Sequence, residues 1–363
     1  MKPEYAARQR RLRASFAKFR CDSILVTHPP DVFYLCGFSG SNAALAVAGN
    51  ASCLFTDGRY TTQAKEEVKA ARVKIVSGSA VKAAVEWLHA HRAKRCLVDS
   101  ATTTLEQFKQ IEKHSKGLKL KFAMREGSPV MELRLRKDDY ELAVMRKAAA
   151  LGCELYLDVL AHIQTGATEA SLAAHLEYTA RMRGADKMSF DTIVASGARS
   201  ALPHGRATQA TLPKRGFVVL DFGVILNAYC SDMTRTVHIG EALPAQQAAY
   251  EAVLAAQMAA VEAVRPGVTC AQVDEAARGV LRQAGLAKWF SHSTGHGVGL
   301  EIHEPPRVAA KQDFKLEPGM VITIEPGVYL PGKFGIRIED MVAVTATGHE
   351  ILTPAPKGWT NLA

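Results

Sequence analysis

The stretch LDFGVILNAYCSDMTRTV, which runs from Leu220 to Val237, sets two acids, Asp221 and Asp232, in a run whose only other charge is Arg235. Both halves are rich in alternating apolar and β-branched residues, a pattern typical of a β-hairpin. Asn227-Ala228 is a plausible turn, and a hairpin centred near residues 226–227 pairs residues whose numbers sum to 453, which sets the two acids opposite each other. Opposed side chains lie about 5 Å apart, so buried carboxylates there repel unless a proton or cation intervenes. The hairpin therefore predicts a cation site or, at an exposed sheet edge, two surface acids.

A second pair of acids repeats this arrangement nearer the C-terminus. Glu325 lies in the apolar segment MVITIEPGVYL and Glu339 in GIRIEDMVAV, and PGKFG separates the two segments. Centred on Gly332, this hairpin pairs residues whose numbers sum to 664, which places the two glutamates opposite each other. Two such opposed pairs in one chain are hard to explain as ordinary solvent-exposed acids, so we expect all four acids to share a site.

Histidines among glycines complete the pattern. The segment FSHSTGHGVGLEIHEPP contains His292, His296 and His303, and glycine permits the backbone to approach a ligand closely. Four carboxylates and one imidazole are a ligand set for a centre of two metal ions. Oxygen-rich ligation without sulfur favours Mn²⁺, and Co²⁺ or Zn²⁺ could also bind.

Length and composition favour two domains in a reducing compartment. The chain has 363 residues, which is long for one core, and its 48% hydrophobic content is ordinary for a globular protein. Residues 1–128 alternate apolar runs with Lys-rich helical stretches and predict a small α/β domain, and residues 129–363 form the second domain. The seven cysteines are scattered, and the sequence has neither a membrane-spanning run nor a signal-peptide core. We therefore expect a cytoplasmic protein, with a mitochondrial presequence in the Arg-rich N-terminus as the minor alternative.

The net charge of +9 resides in the N-terminal third of the sequence. Residues 1–128 carry 22 Lys and Arg against 11 Asp and Glu, whereas the remainder carries 23 against 25. A nucleic-acid role is conceivable for such a region, but no binding motif or aromatic-interleaved basic stripe accompanies the charge. We predict a solvated basic surface, with no nucleic-acid or membrane partner.

Capping signals define helices in the second domain. Asp138 and Glu141 form a capping box ahead of an apolar helical stripe. Further helices are predicted over 168–183, 244–264 and 270–283, where Pro244 suits a first turn and Pro266 a stop.

The acids and one histidine, taken in chain order, resemble the pita-bread metallopeptidases. The residues are Asp221, Asp232, His296, Glu325 and Glu339. The family includes methionine aminopeptidase, aminopeptidase P, prolidase and the non-metallic creatinase. YLCGFSGSNAALAV and LFTDGRYTTQA are similar to the creatinase/prolidase N-terminal domain, and SGARSALPHG, GHGVGLEIHEPP, EPGVYLPG and GIRIED are similar to the Xaa-Pro branch. The resemblance covers essentially the entire chain and implies an α+β protein, in which a small α/β domain precedes a pita-bread catalytic domain.

The resemblance also implies how two ions would be held. Asp221 would bind one ion and His296 and Glu325 the other, while Asp232 and Glu339 would bridge them. Glu325 would in addition accept the proton of the nucleophilic water, which suits a carboxylate that touches both metal and water.

Five further side chains are expected around these ligands. By resemblance, His204 lies near the scissile carbonyl and leaving group, and His303 steadies the tetrahedral oxyanion. His292 would line the proline pocket, and Arg337 would orient the acids around it. Tyr329 lies four positions after the acid of the EPG motif, so in a strand it faces the same side and is a candidate pocket residue.

Several of these side chains also have an ordinary structural interpretation. His204 could be a loop histidine, and His292 could cap the preceding helix. Arg337 could be a surface strand residue paired with Glu339.

The Xaa-Pro branch implies a homodimeric peptidase that cleaves the bond before proline in dipeptides or longer peptides. Arg307, just after the HEPP segment, stands where similar prolidases keep an arginine for the substrate carboxylate, which favours a dipeptidase. GFSGSN instead is similar to small Xaa-Pro aminopeptidases, the main alternative. A less favoured alternative is a pita-bread domain that serves only as a binding module. Relatives of that kind are expected to lose metal ligands, whereas all five predicted ligands are present in this chain.

Overall fold

The computed structural model describes residues 2–124 and 127–362. The chain divides into two compact units, Met1–Arg134 and Leu135–Ala363. The division follows the short helix that begins at Pro129, whereas the predicted boundary precedes that helix, and the domain limits stay a prediction. No helix in the described ranges is long and apolar enough to cross a membrane.

The first unit is built on one mixed β-sheet. Its strands are β1 (Ser23–Val26), β2 (Ala43–Ala48), β3 (Ala51–Asp57), β4 (Arg72–Val76), β5 (Arg95–Asp99) and β6 (Lys119–Ala123), and its helices are α1 (Tyr5–Ser15), α2 (Pro29–Cys36), α3 (Thr61–Glu67), α4 (Ala80–Ala90), α5 (Leu105–His114) and α6 (Pro129–Arg134). The strand order is β4-β3-β2-β1-β5-β6. Helix α4 buries Val81, Val85 and Leu88, an i, i+4, i+7 stripe, against this sheet. The predicted small α/β unit is confirmed.

The second unit pairs helices with several antiparallel sheets. Its helices are α7 (Asp139–Leu160), α8 (Glu169–Met182), α9 (Pro244–Ala263) and α10 (Cys270–Gln283). Its strands are β7 (Lys187–Met188), β8 (Ile193–Ser196), β9 (Gly216–Phe222), β10 (Val224–Leu226), β11 (Tyr229–Cys230), β12 (Met233–Ile239), β13 (Gly295–Gly297), β14 (Glu304–Val308), β15 (Val321–Ile324), β16 (Gly327–Leu330), β17 (Phe334–Arg337), β18 (Asp340–Val344), β19 (His349–Ile351) and β20 (Asn361–Leu362). The two largest sheets have the orders β20-β12-β9-β8 and β14-β13-β15-β18-β19.

Side-chain caps start three of these helices where the sequence predicts. Asp138, Thr168 and Thr269 each accept a hydrogen bond from the backbone N–H three residues on, in reciprocal capping boxes. The buried residues of α7 and α8 share one core with β9 and β12, and those of α9 and α10 share another with β15 and β18. Each helix pair thus supports one of the sheets that carry the predicted site.

The register of the first hairpin differs from the prediction. Asp221 is opposite Thr234, and Ile225 is opposite Cys230, so paired numbers sum to 455 rather than 453. The turn consists of Asn227 and Ala228, whose φ values of 47° and 70° match the left-handed backbone that a two-residue hairpin turn requires. The plausible turn at Asn227-Ala228 is thus confirmed, but the centre of the hairpin lies one position later than the register assumed, and the expectation that Asp221 directly faces Asp232 is wrong.

The register of the second hairpin is confirmed. Gly327 is opposite Arg337 in β16 and β17, and Ile324 is opposite Asp340 in β15 and β18, so both pairs sum to 664. Glu325 and Glu339 occupy the gap between these two paired regions. The strands shift from one sheet to another there, which leaves the two acids between the sheets.

Candidate metal centre and active site

Breaks between strands bring the predicted ligands together. Asp221 lies on β9 and His296 on β13, while Asp232, Glu325 and Glu339 lie in the gaps that follow β11, β15 and β17. His296 Nε2 is 3.6 Å from Asp232 Oδ2 and 3.5 Å from Glu325 Oε1. One ligand atom each from Asp232, His296 and Glu339 lie within 4.8 Å of one another. Residues separated by more than 100 positions therefore converge on one point.

Two glycines allow the strands to approach closely beside this point. A Cβ atom on Gly223 would lie 1.8 Å from the carbonyl oxygen of Ser231, and one on Gly295 would lie 1.8 Å from that of Thr323. Gly223 follows Asp221 by two positions, and Gly295 immediately precedes His296. A side chain at either position would push the neighbouring strand away and separate the acids from the imidazole.

Burial and mutual repulsion perturb the acids strongly. Burial raises the pKa of Asp232 and of Glu325 well above their ordinary values, and the charge of Glu339 raises both further. Burial, followed by the charge of Asp221, raises the pKa of Glu339 to about 8. The positive charge of Arg337 offsets only part of this effect. Several protons or a bound cation are needed to relieve the repulsion.

The unsatisfied atoms of the cluster suit a divalent metal ion. Asp221 Oδ1 and Asp232 Oδ1 are buried and have no hydrogen-bond partner among the described residues. His296 Nδ1 lies 3.0 Å from the carbonyl oxygen of Gly297, which can only accept, so Nδ1 carries the hydrogen and Nε2 presents a lone pair to the acids. Burial and the neighbouring His303 lower the pKa of His296 to about 4, which keeps the imidazole neutral. Carboxylate oxygens and a neutral imidazole are the donors that such ions bind.

The perturbed acids predict a pH-dependent stability for the metal-free protein. A carboxyl whose folded pKa exceeds its unfolded pKa stabilises the fold below the unfolded value, and this stability is lost as the pH rises to the folded value. For Glu339 that window runs from 4.5 to about 8, and the pKa values of Asp232 and Glu325 shift in the same direction. We therefore expect the unfolding temperature of the metal-free protein to fall between pH about 6.5 and about 8, because below about 6.5 the histidines with a lowered pKa, such as His296, titrate and act in the opposite direction.

Thermal unfolding scans across this range test the prediction. Glu339→Gln should flatten the decline, since it removes one of the titrating groups, and a saturating divalent ion should suppress it by replacing the protons. An unfolding temperature of the metal-free wild type that is constant or rises over the same range contradicts the proposed electrostatics.

Arg337 is buried among the acids. Only 4% of its surface is exposed, and Nη2 donates a hydrogen bond to Asp221 Oδ2. Nε donates to Thr234 Oγ1 at 3.1 Å, and Nη1 donates to Tyr329 Oη at 2.7 Å. The alternative in which Arg337 is a surface residue paired with Glu339 is therefore wrong. Its contacts are those of a residue that orients Asp221.

His292 and Tyr329 form a contact beside this arginine. His292 Nε2 lies 2.9 Å from Tyr329 Oη, and the ring centroids are 5.5 Å apart. Since Tyr329 Oη accepts from Arg337, its hydrogen is free to be donated to His292. Burial, with the charge of Arg337, lowers the pKa of His292 to about 4. Both predicted pocket residues thus lie on one hydrogen-bonded chain that ends at Asp221.

The remaining predicted residues lie on the exposed side of the site. His303 is exposed, and its ring centroid lies 4.4 Å from that of His296 in an edge-on contact. His204 is exposed in the loop after the 3-10 segment Gly197–Ala201, and its charge acts on both His292 and His303. Arg307 is exposed on β14, directly opposite His296.

Two supporting interactions were missed from the sequence. Thr234 donates to Glu339 Oε2 at 2.6 Å while its hydroxyl accepts from Arg337, so it joins two residues of the site. Lys137 Nζ lies 3.2 Å from Glu304 Oε2, and both side chains are at most 2% exposed. This buried pair anchors the residue next to His303. The sequence indicated Thr234 only through its position in the hairpin that carries the two aspartates. No feature of the sequence around Lys137 indicated that this lysine is buried.

Comparison with known proteins identifies the class to which this fold and site belong. Residues 143–346 match metallopeptidase family M24, and residues 8–135 match the Creatinase/Prolidase N-terminal domain. The chain belongs to metallopeptidase family M24 and is a metal-dependent hydrolase.

Individual relatives extend over the whole chain. An Xaa-Pro dipeptidase of Pyrococcus furiosus is 36% identical over 336 residues, which are 92% of this chain and 93% of the relative. The structure of an Xaa-Pro dipeptidase from Bacillus anthracis matches with a TM-score of 0.94 and 34% identity, over 99% of this chain and 100% of that one. An X-Pro aminopeptidase from Thermotoga maritima matches with a TM-score of 0.88 and 35% identity, over 96% and 100%.

Proposed function

We propose that the chain is a dinuclear Xaa-Pro dipeptidase that uses Mn²⁺ and hydrolyses the bond before proline. The observation that carries the proposal is the buried group of acids around His296, in which Asp221 Oδ1 and Asp232 Oδ1 have no partner among the described residues. The names of the similar Xaa-Pro peptidases support the substrate class. The imide bond before proline lacks an N–H and its ring restricts the backbone, so a dedicated pocket is chemically reasonable.

Five residues would hold the metal ions. These would be Asp221, Asp232, His296, Glu325 and Glu339, among which the resemblance assigns Asp232 and Glu339 to both ions. The bound ions would supply Lewis acidity, which activates water and polarises a carbonyl group. Four carboxylates against one imidazole favour Mn²⁺ over softer ions, and Co²⁺ or Zn²⁺ are alternatives.

Glu325 is the residue suited to proton transfer. Its side chain is 17% exposed, compared with 10% for Asp221 and 6% for Asp232, so water and substrate can reach it most easily. A carboxylate that water can reach beside the bound ions is suited to act as a general base toward that water. We assign Glu325 to accept the proton of the attacking water and to return it to the proline nitrogen as the C–N bond breaks.

The exposed histidines suit contacts with the reacting group. His303 lies against the imidazole of His296, where a donor could bind the oxygen of the tetrahedral intermediate. Burial lowers the pKa of His303, and the charge of the nearby His204 lowers it further. We assign His204 to the scissile carbonyl and leaving group.

The chain of His292, Tyr329 and Arg337 suits one wall of the substrate pocket. The two rings present apolar faces for a proline ring, and their hydrogen bonds fix the position of each ring. The buried guanidinium of Arg337 is held by four acceptors, including the carbonyl oxygen of Pro203 at 3.0 Å, just before His204. Arg337 therefore acts on substrate through the residues it positions.

Arg307 favours a dipeptidase over an aminopeptidase. Opposed residues of an antiparallel pair project from the same sheet face, so Arg307 shares the face of His296 and is open to solvent. A guanidinium there can bind the free carboxylate of an Xaa-Pro dipeptide with two parallel hydrogen bonds. A longer peptide has no carboxylate at that position. The similarity to the X-Pro aminopeptidase from Thermotoga maritima supports the alternative, which is an Xaa-Pro aminopeptidase.

A paired assay on an Xaa-Pro dipeptide and an Xaa-Pro tripeptide tests this assignment. The wild type should strongly prefer the dipeptide, and Arg307→Ala should raise KM for the dipeptide with little change in kcat, since the carboxylate contact exists before and during the reaction. Loss of a charged hydrogen-bonded contact costs about 1.5–3 kcal/mol, which corresponds to roughly 10–150-fold in KM.

Arg265→Ala, at another exposed arginine of the same unit, is the matched control and should leave both substrates unaffected. Equal or faster cleavage of the tripeptide, together with no effect of Arg307→Ala, identifies an aminopeptidase and makes Arg307 a surface residue.

The assembly and compartment complete the proposal. We assign the chain to a homodimer, as the family resemblance implies, and to the cytoplasm, which suits seven free cysteines, six of them buried. Proline-containing dipeptides would be its partners, with no nucleic acid and no membrane.

A further inference from the structure

A second group of metal-binding side chains lies on the helical hairpin of α7 and α8. Asp158 lies on α7, His162 follows the end of that helix, and His175 lies on α8. Asp158 and His162 are four positions apart, which places them on one side of the helix. One ligand atom from each of the three residues lies within 4.8 Å of the others. None of these residues contributes to the centre described above.

The trio combines one imidazole nitrogen that presents a lone pair with an imidazole–carboxylate hydrogen bond that a bound ion would replace. His175 Nε2 lies 2.6 Å from Asp158 Oδ2, so one proton separates an imidazole nitrogen from a carboxylate oxygen. His162 Nδ1 lies 3.3 Å from the carbonyl oxygen of Asp158, which can only accept, so the hydrogen lies on Nδ1 and Nε2 presents a lone pair. The two imidazole rings stack with centroids 3.7 Å apart and planes inclined by 29°.

We propose that Asp158, His162 and His175 bind one divalent ion of borderline softness, for which Zn²⁺ is the representative. Two imidazole nitrogens and one carboxylate, with water in the fourth position, are a common zinc ligand set. Ligand atoms about 2.0–2.1 Å from a tetrahedral ion lie roughly 3.3 Å apart. The present separations, from 2.6 Å to at most 4.8 Å, bracket that value.

The donor chemistry separates this trio from the centre around His296. The trio offers two nitrogens and one oxygen, whereas the centre offers four carboxylates and one nitrogen. Zn²⁺, Ni²⁺ and Cu²⁺ bind imidazole more strongly than Mn²⁺ does, so an excess of Mn²⁺ would leave the trio available for zinc. The side chains of Asp158 and His175 are 29% and 26% exposed, so an ion can reach them from solvent.

A neighbouring arginine competes for the carboxylate. Arg183 Nη2 donates to Asp158 Oδ1 at 2.9 Å, and Arg183 Nη1 lies 3.5 Å from Glu154 Oε2. Its positive charge opposes a cation at the trio, and Glu154 offsets part of that effect. Removal of the guanidinium should therefore strengthen zinc binding. A trio that served only as an ion-pair network would instead lose a stabilising partner.

An ion at this position would join the two helices of the hairpin. Helix α8 begins at Glu169, whose carboxylate accepts from Ser196 N and Thr208 Oγ1, each at 2.8 Å. These two residues flank the loop that carries His204. Zinc binding should therefore raise the unfolding temperature of the protein by an amount that grows with the zinc concentration.

Zinc stoichiometry tests the proposal directly. Protein loaded with Mn²⁺ is dialysed against Zn²⁺ in excess Mn²⁺, and bound zinc is measured by elemental analysis. The wild type should hold one more zinc per chain than His162→Ala or His175→Ala, each of which should bind at the trio at least ~10-fold more weakly. Zinc that exchanges into the centre around His296 contributes equally to all variants and cancels in the comparison.

Arg183→Gln is the matched variant in the same cluster. It should retain the additional zinc and bind it more tightly than the wild type, and zinc should raise its unfolding temperature as well. His162→Ala leaves the ion pair between His175 and Asp158 intact, so it remains informative even where His175→Ala does not fold. Equal zinc contents in the wild type and His162→Ala overturn the proposal. This comparison is independent of peptidase activity.

Discussion

Replacing Glu325 with glutamine is expected to lower kcat by ~10²–10⁴, the range for loss of a general base. The amide is nearly isosteric with the acid but cannot accept the proton of the attacking water. It also removes one negative charge from a cluster in which burial and Glu339 already raise the pKa of Glu325. Because this changes the chemical step more than substrate binding, kcat should fall far more than KM rises.

Steady-state kinetics on an Xaa-Pro dipeptide, with the metal content of the same samples, provide the measurement. Glu241→Gln, at an exposed acid of the same unit, is the control and should keep wild-type kinetics. Near-normal turnover by Glu325→Gln with bound metal means that another group accepts the proton. The assigned mechanism is then wrong.

Replacing Asp232 with alanine is expected to remove metal from the protein and activity with it. Asp232 is buried, its Oδ1 has no partner among the described residues, and its Oδ2 lies 3.6 Å from His296 Nε2. A carboxylate in this position would be shared by both ions, so its loss affects both. Changes to residues that only support metal ligands cost 10–100-fold in affinity, so we expect at least about 100-fold for Asp232→Ala.

Metal titrations of the folded variant, followed by an activity assay, test this expectation. Asp313→Ala removes an exposed acid of the same unit and should retain wild-type metal content. The metal-free Asp232→Ala protein should be more stable than metal-free wild type near neutral pH, because one buried and repelling carboxylate is gone. Unchanged metal affinity in Asp232→Ala excludes this residue as a ligand.

The two hairpins show where the sequence pattern predicts the strand register correctly and where it does not. The second was placed correctly because Gly332, with a φ of 70°, marks its turn. The register of the first was shifted by one position, because Asn227 and Ala228 suit the turn but alanine seldom adopts a left-handed backbone, and the hairpin was centred one residue too early. The acids of this hairpin nevertheless reach one site, because Asp232 lies in a break between strands that strict alternation does not describe.

Burial was the other property that the sequence could not provide. Alternation along GIRIEDMVAV places Arg337 on one face, but it does not tell whether that face meets solvent or protein. Helix α9 and strands β9 and β12 pack against β17, which ends at Arg337, and Arg337 is 4% exposed. Its contact with Asp221, like that of Thr234 with Glu339, joins residues more than 100 positions apart. Its contact with Tyr329 crosses the hairpin. Local pattern carries no information about such pairs.

The central claim is that the acids around His296 bind divalent metal and that this metal is required to hydrolyse the bond before proline. Its most direct test is an assay of chelator-treated wild type on Ala-Pro and on Ala-Ala, before and after addition of Mn²⁺. The metal-free protein should cleave neither dipeptide, and Mn²⁺ should restore cleavage of Ala-Pro with a strong preference over Ala-Ala. Full activity in metal-free protein, or restored cleavage of Ala-Ala without Ala-Pro, would contradict the claim.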